Sequence, residues 1–293
     1  MLCFETARLN RWRCFLLALV LFAACVFHFP AEDARALNQS REYLRYDFAT
    51  GQTTTYTLSA LSELSLTRSV IGDDTRVPDT SNQAVVLAGG GAGFIVSDHI
   101  VATAAHCLYH RDIDNPANSH YITDARVTIY DESGKNSVKT LMPVSFHIPM
   151  LYFEKGENEF LNYDYGFIYV EEDLSEYGRF DLGVPMDECA TYHTNVYNSG
   201  FPSDTDDGKF ADREYKRYTG SGNVVEMTDY VVRYNADASG GNSGGPIYTE
   251  STFNNQVYRT VIAIHSAGDS ERNQGVRVTT DLMHFYYNNP YAY

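Results

Sequence analysis

The chain has 293 residues, 44% of them hydrophobic and 14% aromatic, which is enough for a packed core of about 200 to 250 residues. Its formal net charge of −16 argues against a nucleic-acid partner, because phosphates require a basic protein face. The same charge disfavours adsorption to anionic membranes, so we predict no stable membrane association. No Cys/His cluster has zinc-ligand spacing and no EF-hand-like loop is present, so we expect neither a metal nor a cofactor.

The first 36 residues have the composition of a secretory signal. Arginines precede an apolar run over residues 14–29, and Ala34-Arg35-Ala36 then offers small residues at a signal-peptidase spacing. The run has 16 residues, fewer than the roughly 20 that a membrane span needs. We therefore predict a signal peptide at residues 1–36 and an extracellular protein, with an uncleaved anchor as the alternative.

Residues 37–68 are polar and rich in Ser, Thr and Leu, with little sign of a core pattern. We interpret them as a pro-segment and Arg68-Ser69 as the processing point, so that the exported chain would be a zymogen. The alternative is a structured strand hairpin at the start of the folded domain. Residues 69–293 would then form a single domain.

From residue 69 onward, short β-branched or aromatic runs alternate with Gly, Asn and Asp clusters, a pattern typical of a sandwich or a barrel. The predicted strands lie in residues 94–96, 100–102, 125–130, 166–170, 224–227 and 257–264. One helix is predicted near the end of the chain, where Thr279 or Thr280 can cap it and Leu282, Phe285 and Tyr286 share a face.

Five cysteines are present, and three of them fall in the predicted signal. The two that remain, Cys107 and Cys189, are too few for a disulfide-dependent framework. They could pair with each other or stay as buried free thiols, and the sequence leaves both open.

Three local motifs carry the candidate chemistry, in the order His, Asp, Ser. In the first, a strand enters the small residues Thr103-Ala104-Ala105 just before His106, so the chain can turn tightly and present an imidazole. In the second, Asp164 lies among aromatic and apolar residues at the start of a strand. A buried carboxylate needs hydrogen bonds, and a His ring N–H would supply one.

The third motif is the glycine-rich segment Ser239–Pro246 around Ser243. A serine hydroxyl becomes a nucleophile when a neighbouring base takes its proton, and acyl transfer also needs backbone N–H donors for the oxyanion. The glycines permit a turn that exposes the N–H groups of Gly241 and Ser243. Together the motifs predict a serine endopeptidase with the triad His106, Asp164 and Ser243.

The segment Gly241–Gly245 also fits the G-x-S-x-G pattern of α/β-hydrolases. Those enzymes place the Asp and the His after the Ser, whereas only 50 residues follow Ser243 here and no βα alternation precedes it. We reject that fold.

At the residues of these motifs the chain resembles trypsin-like proteases, and it is similar to the bacterial glutamyl endopeptidases among them. The likeness extends over residues 69–287 and includes a start like the mature N-terminus of those enzymes at residues 69–77, with further matches at residues 162–166, 199–202, 264–265 and 275–279. The resemblance implies an all-β, chymotrypsin-like fold of two six-stranded antiparallel β-barrels with a C-terminal helix.

The departures from that family concern a disulfide and the specificity pocket. The usual cysteine upstream of the His motif is absent, with Gly91-Ala92-Gly93 at about its place, so Cys107 lacks its customary partner. Ala238 replaces a Thr of the glutamyl enzymes, while His265 matches the histidine that lines their acid-binding pocket. Asp237 lies where trypsin carries the acid that binds Lys or Arg, but Bacillus glutamyl enzymes have an Asp there too.

We therefore expect a monomeric secreted protease that acts on proteins or peptides and prefers Glu at the cleaved position. Cleavage after Lys or Arg is one alternative. The other is a catalytically silent relative that serves as a binding module, which is disfavoured because all three triad residues and the oxyanion glycine are present.

Overall fold

The computed structural model describes residues 40–59, 76–80, 82–156, 159–203, 215–269 and 271–288. The predicted signal at residues 1–36 and the predicted processing point at Arg68-Ser69 lie outside the described residues. Within the described ranges no helix has both the length and the apolar character needed to cross a membrane.

Strands dominate the described part of the chain. They are β1 Ser40–Asp47, β2 Thr53–Ser59, β3 Val77–Pro78, β4 Val85–Ala88, β5 Gly91–Ile95, β6 Ile100–Thr103, β7 Tyr109–His110, β8 His120–Tyr121, β9 Val127–Tyr130, β10 Ser137–Leu141, β11 Ser145–Pro149, β12 Gly166–Tyr169, β13 Asp181–Leu182, β14 Asn195–Gly200, β15 Tyr218–Met227, β16 Val231–Tyr234, β17 Pro246–Phe253, β18 Gln256–Gly268 and β19 Asn273–Arg277. The α-helices are α1 Met150–Glu154, α2 Glu188–Thr191 and α3 Thr280–Asn288, and 3-10 turns lie at Ala105–Cys107, Pro116–Asn118, Phe160–Tyr163 and Ser175–Tyr177.

Each of the six predicted strands is confirmed, in β5, β6, β9, β12, β15 and β18. The predicted helix is confirmed as α3. The backbone N–H of Leu282 donates to the Thr279 hydroxyl at 3.2 Å, which satisfies one of the N–H groups that a helix start leaves without a partner. Leu282 and Phe285 are fully buried, so the predicted apolar face of α3 does pack against the core.

The C-terminal lobe is a closed six-stranded barrel. Its strands follow the order β18, β17, β14, β15, β16 and β19, and pairing between β19 and β18 closes the ring. Closure removes the exposed sheet edges that would otherwise pair with another chain. The barrel interior is filled by buried apolar side chains: Val196, Val224, Val232, Tyr234, Ala236, Ile247, Ile262 and Ala263.

The N-terminal lobe is built on a nine-stranded sheet with the order β10, β9, β4, β5, β6, β12, β11, β1 and β2. The chymotrypsin-like fold class is confirmed, with more strands in this lobe than the six expected. The last two strands belong to residues 40–59, which form an antiparallel hairpin that joins the sheet along β11. The strand hairpin left open as an alternative for residues 37–68 is therefore the structure of residues 40–59, while removal of the segment stays a prediction.

Candidate active site

His106 lies on the 3-10 turn that directly follows β6. Ala104 and Ala105, fully buried, leave room for this turn between the strand and the imidazole. The backbone N–H of His106 donates to Oδ1 of Asp164 at 2.8 Å, and its Nδ1 lies 2.6 Å from Oδ2 of the same carboxylate. One carboxylate thus fixes both the backbone and the ring of His106.

Asp164 ends the 3-10 turn Phe160–Tyr163 and stands just before β12. Because β12 pairs with β6, with Gly166 opposite Thr103, the register of the sheet brings Asp164 beside His106. The carboxylate is fully buried, and the Ser266 hydroxyl also donates to it. A buried carboxylate with several donors is stable as an anion.

The two groups shift each other's pKa. Burial disfavours the charged imidazolium, but the adjacent Asp164 carboxylate outweighs it and raises the pKa of His106 above the usual 6.5. Burial likewise acts to raise the pKa of Asp164, yet His106 and the Ser266 hydroxyl lower it overall. The pair therefore favours an ionised Asp164 that holds the His106 ring through Nδ1.

Ser243 lies in the loop of residues 235–245 between β16 and β17, which we call the Ser243 loop. The shape of this loop depends on glycine. Gly241 and Gly244 have φ values of 101° and 80°, a region that L side chains rarely adopt. A Cβ atom on Gly244 would also lie 2.2 Å from the Thr103 hydroxyl. In the described part of the chain, the backbone N–H groups of Gly241 and Ser243 donate no hydrogen bond, so both are available to an oxyanion.

The Ser243 loop is held by both lobes. From the N-terminal lobe, the Ala92 N–H donates to the Ser243 carbonyl at 2.6 Å. From the C-terminal lobe, Gly244 donates to the His265 carbonyl at 2.8 Å. The Cys107 Sγ lies 3.5 Å from the same Ser243 carbonyl, which puts Ser243 next to the turn that carries His106. Within the described ranges the Ser243 hydroxyl makes no hydrogen bond, and such catalytic bonds often tighten when substrate binds.

Cys107 and Cys189 are not joined by a disulfide, so the pairing left open by the sequence does not occur. A Cβ atom placed on Gly91 would lie 2.8 Å from the Cys107 Sγ and 2.5 Å from the Ser243 carbonyl oxygen. Gly91 therefore occupies the place of the missing cysteine, and the backbone of the Ser243 loop packs directly against it.

The residues assigned to the specificity pocket, Asp237, Ala238 and His265, are all fully buried. His265 on β18 contacts the Tyr234 hydroxyl through Nδ1, and Tyr234 itself ends β16. The backbone carbonyl of Asp237 accepts from the Asn198 amide at 3.3 Å. The structure thus places His265 and the segment 236–238 at the same end of β16, close to the Ser243 loop.

Two contacts of this site were not anticipated from the sequence, those of Ser266 and Tyr234. Ser266 is the residue after His265, at a point where the register of β18 with β19 shifts. One strand therefore serves both the Asp164 carboxylate and the candidate pocket. No local sequence signal indicates either contact, because each depends on pairing between distant strands.

Among the described residues, no group of three or more His, Cys, Asp or Glu side chains is arranged to hold a metal ion.

Comparison with known proteins identifies related peptidases. The model of the trypsin-like peptidase domain matches residues 91–254. The glutamyl endopeptidase of Bacillus licheniformis is 27% identical over 230 residues, which cover 74% of this chain and 67% of that protein. A Bacillus subtilis protein named extracellular metalloprotease is 28% identical over 222 residues, covering 74% of this chain and 61% of that protein.

A solved structure described as a Glu endopeptidase in complex with MPD has the same fold, with a TM-score of 0.58 and 22% identity over 74% of this chain and 97% of that one. The two-lobed fold with its C-terminal helix agrees with the match to the trypsin-like peptidase domain. The chain belongs to the family of trypsin-like peptidase domains.

Proposed function

We propose that this protein is a secreted serine endopeptidase that hydrolyses peptide bonds through an acyl-enzyme and prefers Glu at the cleaved position. The observation that carries the proposal is the contact between His106 and the buried Asp164 beside the Ser243 loop. Family membership supports peptidase activity, while the serine mechanism rests on the identity of these residues.

In the proposed reaction the Ser243 oxygen attacks the scissile carbonyl as His106 Nε2 takes the hydroxyl proton. The N–H groups of Gly241 and Ser243 stabilise the oxyanion that forms. The protonated His106 then donates its proton to the leaving amine, which frees the first product and leaves an ester on Ser243. Water, deprotonated by His106, attacks this ester. As the second oxyanion collapses, the acid product leaves and His106 returns the proton to the Ser243 oxygen, which regenerates the hydroxyl.

The preference for Glu is proposed from His265. An imidazole can donate a hydrogen bond to a substrate carboxylate, and a charge-assisted one when protonated. If the Tyr234 hydroxyl donates to Nδ1, the proton of a neutral ring resides on Nε2, where it can serve as that donor. Ala238 supplies no hydroxyl to the pocket, so we expect a looser preference for Glu than in the glutamyl enzymes.

We further propose that residues 1–36 direct export and that residues 37–68 are a pro-segment cut near Arg68-Ser69 or Ser69-Val70. Composition and the resemblance of residues 69–77 to a mature start support this. The name of the Bacillus subtilis relative, extracellular metalloprotease, also supports export.

The test is a Ser243→Ala variant assayed on peptides with Glu at the cleaved position. Because triad members act as a unit, turnover should fall at least about a thousandfold, and His106→Ala in addition should cost little more. Near wild-type turnover by Ser243→Ala would exclude the serine mechanism.

The same assay separates serine from metal chemistry, which matters because one relative is named a metalloprotease. A sulfonyl fluoride should inactivate the wild-type enzyme and add its mass at Ser243, whereas EDTA should leave turnover unchanged. Loss of activity in EDTA together with insensitivity to the sulfonyl fluoride would favour a metal-dependent reaction instead.

A further inference from the structure

The hairpin formed by residues 40–59 is an integral part of the N-terminal sheet. Strand β1 pairs with β11 over five residue positions, from Tyr43 opposite Pro149 to Asp47 opposite Ser145. Strand β2 covers the outer side of β1 through seven pairs, from Ser40 opposite Ser59 to Tyr46 opposite Thr53. Both strands therefore lie upstream of the predicted cleavage point and yet extend the sheet of the folded domain.

The hairpin also contributes to the core. Tyr43 is fully buried, and its ring stacks on Phe285 of α3 with centroids 4.0 Å apart and planes at 4°. Its hydroxyl lies 3.3 Å from that of Tyr165, the residue after Asp164. A buried aromatic stack of this kind contributes more than its buried area alone.

Further contacts join the rest of the hairpin to the same lobe. Tyr46 stacks on Phe146 of β11 and on Tyr121 of β8, with centroids 5.1 and 4.9 Å apart. The Tyr56 hydroxyl of β2 lies 2.6 Å from Nδ1 of the buried His147. The contacts thus involve both strands and reach two strands and a helix of the domain.

Loss of the hairpin would leave a poor surface behind. Every residue of β11 is buried, and without β1 its free N–H and C=O groups would form an open sheet edge. The outer strand β2 is better suited to that position, because Thr53, Thr54 and Thr55 are polar and exposed. The hairpin is therefore suited to stay in place, with the buried Tyr43 of β1 against the core and the exposed threonines of β2 at the solvent-facing edge.

From these contacts we infer that residues 40–59 stay bound after the chain is cut between the hairpin and the remainder, so that the processed protein consists of two chains. The sheet order places β12 and β11 between β1 and β6, the strand that leads to His106. The hairpin can therefore stay bound without pairing with β6 or β12, the strands next to His106 and Asp164. This inference rests on the proposed processing of residues 37–68, but it concerns association and does not depend on the proposed peptidase activity.

The test uses the full chain with Ser243→Ala, to prevent self-cleavage, and a recognition sequence for a site-specific protease inserted between Leu64 and Ser65. After complete cutting, shown on a denaturing gel, native size exclusion and native mass spectrometry report whether the fragments remain together. We expect one species that contains both. Elution of the small fragment apart from the large one would overturn the inference.

Matched variants identify the contacts responsible. Tyr43→Ala removes the stack on Phe285, and we expect it to speed release of the small fragment at least about tenfold, since truncating a buried aromatic costs several kcal/mol. Thr54→Ala changes an exposed residue of the same hairpin and should leave release unchanged. Equal release rates in the two variants would refute the role given to Tyr43, and the wild-type experiment still decides retention if Tyr43→Ala fails to fold.

Discussion

The Ser266 hydroxyl donates to the Asp164 carboxylate, on the oxygen that also contacts His106 Nδ1. Ser266 directly follows His265, so the strand that carries the candidate specificity residue also contacts the candidate triad. Asp164 keeps its negative charge in a fully buried place because three donors surround it, the third being the backbone N–H of His106.

Removing this hydroxyl should lower activity without abolishing it. A hydrogen bond to a charged group is worth about 1.5–3 kcal/mol, so Ser266→Ala should reduce kcat/KM about tenfold or more. Thr252→Ala, which removes an exposed hydroxyl from β17 of the same barrel, is the control and should be silent. Unchanged kcat/KM in Ser266→Ala would mean that the contact does not support catalysis.

The pH dependence of turnover should follow His106. The general base must be neutral, and Asp164 raises the pKa of His106, so kcat/KM should rise with pH and reach half its maximum above pH 6.5. NMR titration of the imidazole in Ser243→Ala should give a pKa above 6.5. The double variant Ser243→Ala/Asp164→Asn should give a lower one, because the negative charge is gone. A midpoint below 6.5 in the presence of Asp164 would contradict this electrostatic account.

The sequence predicts His106, Asp164 and Ser243 as the triad because each lies in a local motif with its own composition. The contacts of Ser266, Tyr234 and Tyr43 could not be read in that way, since each depends on which strands become neighbours. The same holds for Gly91, whose closeness to Cys107 follows from the fold. Residues 40–59 show most clearly what the sequence alone does not predict. Their polar composition indicates a disposable segment, whereas the buried Tyr43 and the partly buried Tyr46 and Tyr56 pack against the domain.

Acid should destabilise the N-terminal lobe through His147. Burial, with a smaller effect of Arg45, lowers the pKa of His147 to about 3 in the folded state, against 6.5 ordinarily. The hairpin places Arg45 and the Tyr56 hydroxyl near this ring, β11 adds the Ser145 hydroxyl, and α3 adds the ring of Phe285.

Between pH 6.5 and 3 the unfolded state therefore binds a proton that the folded state does not, and stability falls as pH falls. From pH 7 to pH 5 this group alone should cost about 2 kcal/mol of unfolding free energy. Urea unfolding of His147→Gln, which retains a polar side chain without the titration, should show a loss smaller by about that amount. Equal pH dependence of the two proteins would exclude His147 as a cause.

Processing should convert an inactive exported chain into active enzyme. N-terminal sequencing of active material should give a start at Ser69 or Val70, together with the start of the hairpin fragment where that fragment is still bound. Replacing Arg68 and Ser69 by a sequence that resists cleavage should keep the protein inactive but folded, with circular dichroism as the check. Full activity from a single chain that starts near Leu37 would rule out the zymogen.

The last prediction concerns the preference at the cleaved position, which we assign to the candidate pocket of His265, Ala238 and Asp237. Substrates that differ at the cleaved residue alone should be hydrolysed fastest with Glu, more slowly with Asp, and slowest with Lys or Arg.

Ala238→Thr restores a hydroxyl donor and should raise kcat/KM on Glu substrates by about 2- to 13-fold, the equivalent of about 0.5–1.5 kcal/mol for one hydrogen bond. Ala238→Val introduces a side chain with the shape of Thr but without the hydroxyl, so it separates the effect of the hydrogen bond from that of volume.

Tyr234→Phe removes the hydroxyl that contacts His265 Nδ1 and should lower turnover of Glu substrates more than that of Gln substrates, because it frees the ring to change tautomer. Faster cleavage after Lys or Arg would overturn the assignment to His265 and make Asp237 the determinant, since its buried carboxylate would then pair with a basic side chain of the substrate.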